Sequence, residues 1–133
     1  MGSGNKDYSL GTKLSLYDQL GGQTVISQVV TDFYDRASSH DVTAKWFAKA
    51  DPVLLQGHLR DYLTVILGGP EQYSGRSMRN AHSKLRIPVE AFEVVRRCFA
   101  EAFAASGIAP EIVRKADTRI GSLRAVVVTS TTR

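Results

Sequence analysis

The groups in this chain best suited to hold a metal are three histidines, at positions 40, 58 and 82, and one cysteine, Cys98. On a helical wheel turned by about 100° per residue, Leu55, Leu59, Tyr62, Leu63 and Ile66 share one face. His58 stands at the edge of that stripe, one turn from both Leu55 and Tyr62. Its imidazole can reach a buried space or swing toward water, and a solvated flank histidine is the plain alternative. His82 has Met78 four residues before it and Leu85 three after, which puts it on the apolar side of a short helix. Taken alone, that position suits a satisfied core or boundary histidine better than a ligand. No carboxylate or thiol set accompanies these two residues, and two imidazoles alone make a poor metal cage. Cys98, among Val94, Val95 and Phe99, reads as an inert buried thiol. A single cysteine excludes an intramolecular disulfide and any cysteine-based zinc cluster. His40 reads as a helix-end residue without a chemical role.

The elements that must position these groups are helical. Leu14, Leu16, Tyr17 and Leu20 predict a short helix stopped by Gly21-Gly22, and Val25, Ile26, Val29, Val30, Phe33 and Tyr34 recur at helical spacing through Thr24 to Ala37. Trp46-Phe47 mark a connecting turn. Asp51-Pro52 is a cap followed by a first-turn proline, and Gly68-Gly69-Pro70 ends the helix they open. A short helix around Met78–Leu85 follows. Pro88 opens a long helix through Phe92, Val95, Phe99 and Phe103, and Ala109-Pro110 opens a last one through Ile112, Val113, Ala116, Ile120 and Leu123. No segment alternates as a strand, so the chain is expected to be all-α, with a loose tail over 1–13, a domain over 14–128 and a C-terminal tail over 129–133.

At 133 residues the chain suits one domain with a real core, and 43% hydrophobic against 23% charged residues is an ordinary globular balance. The net charge of +4 comes from scattered Lys and Arg, without the basic run or interleaved aromatics of a nucleic-acid surface. No apolar run has the length of a membrane span and no signal peptide is evident, so a cytoplasmic location is expected.

Several short motifs stand in register along the chain: Leu16-Tyr17-Asp18-Gln19-Leu20-Gly21-Gly22, Val29-Val30-Thr31-Asp32-Phe33-Tyr34, Leu67-Gly68-Gly69-Pro70, Tyr73-Ser74-Gly75-Arg76, and Met78 through His82. In order and spacing they resemble the truncated globins, the short two-over-two helical haemoglobins, and within them group I. The resemblance runs from about Leu14 to Gly107, and the last helix matches in character only.

The resemblance implies a haem b, whose porphyrin supplies the four ligands that two imidazoles lack. It implies that His82 is the proximal ligand, bound through Nε2, with the other ring nitrogen donating outward. Tyr34 corresponds to the distal tyrosine that donates a hydrogen bond to a bound gas; the plain alternative is a backbone carbonyl partner. His58 falls where some members carry a second axial ligand, so a six-coordinate resting iron is implied, against a histidine turned to solvent or to a propionate. The haem-contacting positions that match are Phe33, Phe47, Leu55, Leu59, Tyr62 and Leu63, followed by Leu67, Met78, Phe92 and Val95. Tyr73, Arg76 and Arg79 are the propionate candidates, with surface solvation as their alternative.

Two departures matter. Many members place glutamine at one or both positions corresponding to Leu55 and Leu59, which are apolar here. Some attach haem covalently through a histidine on the last helix, and no histidine follows His82. Haem is therefore expected to be non-covalent. The implied function is reversible binding of O2, CO or NO. Nitric oxide dioxygenation with a reductase partner, and electron transfer or redox sensing, remain as alternatives.

Overall fold

The computed structural model describes residues 14–69, 81–82 and 84–129. Its first helix, α1 (Leu16–Leu20), is capped by the Ser15 hydroxyl, which accepts the Asp18 N–H at 3.0 Å. Gly21 ends it at φ 117°, a left-handed conformation in which a side chain would be strained. The next helix, α2 (Gln23–Ser39), buries Ile26, Val29, Val30, Phe33 and Ala37, the stripe expected from the spacing. Trp46 and Phe47 lie in a third helix, α3 (Ala44–Ala48), where a turn is expected. Five residues are too few for a hydrophobic period to show.

Local chemistry sets the bounds of α4 (Pro52–Ile66). The Asp51 carboxylate accepts the Val53 and Leu54 N–H groups at 2.9 and 3.1 Å, a cap worth about 1 kcal/mol. At the other end Arg119 donates to the Ile66 carbonyl at 2.8 Å, and the Leu67 carbonyl accepts the Tyr17 N–H at 2.9 Å. A Cβ on Gly69 would lie 2.6 Å from Thr64 Cγ2 and 2.8 Å from Tyr17 Cδ1. Only a bare backbone lets the end of α4 close against α1.

Met78, Tyr73, Arg76 and Arg79 lie outside the described residues, as does Ser83. Ala81 and His82 are helical, and Lys84-Leu85 already form a turn. Then come α5 (Val89–Ala105) and α6 (Pro110–Gly121). The last helix, expected to run on to Leu123, stops at Gly121 and restarts after a turn as α7 (Arg124–Val127). Thr129, expected in the C-terminal tail, is bonded to Ile87.

Among the described residues there is no strand, and the fold is all-α. The central helix is α2, packed most extensively on α5 and next on α4, while α5 packs in turn on α6. Two pairs, α2 with α4 and α5 with α6, are thus laid against each other. Phe33 of α2 and Phe99 of α5 stack with centroids 3.7 Å apart at the centre of that contact. Phe33, Phe103 and Ile26 are fully buried, each contributing roughly 1.5–3 kcal/mol. Arg96 reaches from α5 to Asp117 of α6 with two bonds, of 3.1 and 2.7 Å, and those bonds hold its guanidinium above its ordinary pKa. Among the described residues no helix is long and apolar enough to cross a membrane.

Candidate cofactor site

Where α4 and α5 diverge, the fold leaves a cavity of about 420 Å³, within the range of small-molecule and cofactor pockets. One wall is α4, with Leu55, Leu59, Tyr62 and Leu63; another is α5, with Phe92, Val95 and Phe99. Phe33 of α2 and Phe47 of α3 line it as well. Ile120, Leu123 and Val127 add the apolar face of the C-terminal helices.

Both histidines of interest line this one cavity. His58 comes from α4 and His82 from the helical residues that precede the 84–88 connection. His82 is half-buried. His58 is exposed, as a residue at the flank of the α4 stripe should be: it borders the cavity and meets water. His40 is elsewhere, closing α2, where its Nδ1 accepts the Val42 N–H at 3.1 Å.

Phe33, Phe47, Leu55, Leu59, Tyr62, Leu63, Phe92 and Val95 are brought together with the two histidines. Two expected residues are not on the wall. Tyr34 is half-buried one ring behind it, its ring edge-on to Phe47 at 5.7 Å between centroids. Leu67 caps the end of α4 and is fully buried in the main core toward α1. Other wall residues lie outside the sequence expectation. Phe99 had a visible signal, the step of four from Val95 along the α5 stripe. Thr43, Trp46 and Lys49 had none, because they sit in or beside a helix too short to display a face.

The polar groups of the wall are mostly engaged within the protein. Buried Thr43 donates its hydroxyl to the Ala37 carbonyl at 2.6 Å, and Trp46 donates Nε1–H to the Leu85 carbonyl at 2.8 Å. Cys98 is buried off the cavity, and burial pushes its thiol up, which keeps it protonated and inert. Among the described residues no cluster of three or more His, Cys, Asp or Glu could hold a metal ion. Apolar walls with an imidazole contributed from each of two elements suit a metal already carried in a large apolar ring.

Residues 15–129 match the family model described as bacterial-like globin. The chain is 32% identical over 113 residues to a group 1 truncated haemoglobin of Nostoc commune, covering 85% of this chain and 96% of that protein. In fold it is similar to the crystal structure of the Fe(III) truncated haemoglobin of Tetrahymena pyriformis, with a TM-score of 0.83 at 23% identity, over 86% of this chain and 98% of that one. A two-over-two haemoglobin from a Synechococcus strain, solved with covalently attached haem, superposes with a TM-score of 0.80 at 24% identity, over the same shares.

Proposed function

This chain belongs to the bacterial-like globins, in the group 1 truncated haemoglobin branch, and from that membership we propose that it holds a non-covalent haem b between His58 and His82 and binds diatomic gases reversibly. The observation that carries this reading is the pair of imidazoles, from two separate elements, on one apolar cavity of about 420 Å³. When bound, haem supplies a ferrous iron that takes up O2, CO or NO, a chemistry no side chain of this protein has.

The chain's own residues do the rest. His82 would hold the iron, carried on a backbone whose carbonyl accepts the Leu85 N–H. Phe92, Val95 and Leu63 exclude water by filling the space around the ring, and apolar burial of this kind is what retains a non-covalent cofactor. His58, which lines the same cavity, would hold the iron as well at rest. Its exposure lets it turn outward without disturbing the core. Leu55 and Leu59 give the wall no hydrogen-bond donor; His58 and Tyr62 line it and would supply one, while Tyr34 packs edge-on against Phe47. Lys49, which lines the cavity, would meet a carboxylate of the cofactor. Attachment is non-covalent because no histidine follows His82 and His40 is committed to the end of α2. Nitric oxide dioxygenation and electron transfer, the other uses of such a site, are favoured by no feature of the described residues.

Trp46 makes the assignment measurable, because it is the chain's single tryptophan and lines the cavity. Haem absorbs where indole emits. Titrating cofactor-free protein with haem should quench the emission linearly to a break at one haem per chain. Emission that stays constant, or declines without a break, would place the cofactor elsewhere.

A further inference from the structure

The connection that follows His82 is fastened at both ends to distant parts of the chain. The His82 carbonyl accepts the Leu85 N–H at 3.0 Å, and the Leu85 carbonyl accepts the indole N–H of Trp46 at 2.8 Å. Arg86 follows at φ 55°, the one described non-glycine residue with positive φ. Such a conformation persists where the surroundings over-determine it. Ile87 is then paired in both directions with Thr129: its N–H donates to the Thr129 hydroxyl at 3.0 Å, and its carbonyl accepts the Thr129 N–H at 2.9 Å. Pro88 and α5 begin immediately after.

From this arrangement we infer that Trp46 and Thr129 are positioning residues for His82, fixing the connection that sets its imidazole in the cavity. The inference rests on the reading of His82 as the iron ligand. Leu85 is 43% exposed, so water could satisfy its carbonyl and burial alone does not demand the indole bond. Lys45 Nζ lies 4.6 Å from the Trp46 ring centroid, which covers the indole and holds its orientation. Trp46 also precedes Phe47, which lines the cavity. One hydrogen bond therefore ties α3 to the Leu85 carbonyl, three residues after His82. Partners that orient a metal ligand are commonly worth 10- to 100-fold in metal affinity or activity. Here the orienting bonds act one turn away, on the backbone.

Trp46→Phe deletes the donor while keeping an aromatic ring, though a smaller one; Thr129→Val deletes the hydroxyl that accepts the Ile87 N–H and leaves the cavity wall untouched. Each is compared with wild type as haem-loaded full-length protein. Amide exchange is measured at Leu85 and Ile87, and the iron–imidazole stretching band is recorded in the ferrous state immediately after photolysis of CO. In Trp46→Phe the Leu85 amide should exchange about tenfold faster or more, and the stretching band should shift or broaden. Thr129→Val should do the same with the larger exchange effect at Ile87. An unchanged band overturns the inference, even if exchange accelerates, since the bonds would then only stabilise the connection. Unchanged exchange in both variants overturns it as well. If Trp46→Phe does not fold, Thr129→Val decides alone. A wild-type band that survives in His82→Gly would instead mean that His82 is not the ligand, a failure of the functional reading visible without either positioning variant.

Discussion

His82→Gly is expected to yield a folded but colourless protein that regains an axial band when free imidazole is added. Its backbone is helical just before the Lys84-Leu85 turn, where the glycine backbone itself costs about 1 kcal/mol. Helix content by circular dichroism should be retained. What the substitution removes, on the proposed reading, is the residue that would hold the iron. Loss of a mere supporting partner costs about 10- to 100-fold in affinity or activity, and loss of the ligand itself should exceed that and prevent copurification of haem. The space it vacates admits an imidazole from solution, which is why rescue is expected. Retention of haem with an unaltered axial band would remove His82 from the site. Failure of imidazole to rescue a well-folded variant would show that the residue does more than ligate.

The second large effect is expected from His58→Ala. Wild type should rest in a low-spin, six-coordinate state, and the variant should show an open or water-bound one. His58 is exposed on the flank of α4, away from the buried Leu63 and Thr64, so the change should cost little stability. Gas binding should change in a defined direction. A site closed by an internal ligand binds with an apparent affinity reduced by the fraction of open molecules. If roughly one molecule in ten is open, removal of His58 should raise apparent CO affinity about tenfold. An unchanged spectrum and unchanged affinity would mean that His58 spends its time in water and leaves the iron to His82 alone.

The parts of this fold that were legible from residues alone are those governed by local chemistry. Asp51 and Pro52 at one end of α4, and Gly68-Gly69 at the other, bound the helix because a cap, a fixed φ and a close approach act within a few residues. The buried stripe of α2 was legible because 17 residues give a period time to repeat. The five-residue α3 gave no such signal, so Trp46 and Thr43 were not foreseen on the cavity wall. The break after Gly121 was hidden because Leu123 continues the apolar spacing of α6 across it. Periodicity alone favoured boundary residues over ligands at His58 and His82, although an imidazole suits both. That Tyr34 is off the wall was not legible either: its ring packs edge-on against Phe47 of α3 at 5.7 Å between centroids, a tertiary contact.

The most direct measurement is the absorption spectrum of the purified chain, in ferric and ferrous states, after expression in haem-replete cells. The account predicts a Soret band at one haem per chain and a bis-imidazole low-spin pattern, extractable into acidic organic solvent because the haem is not covalently attached. A folded protein that purifies without visible absorption, and takes up no haem when it is supplied, would contradict it.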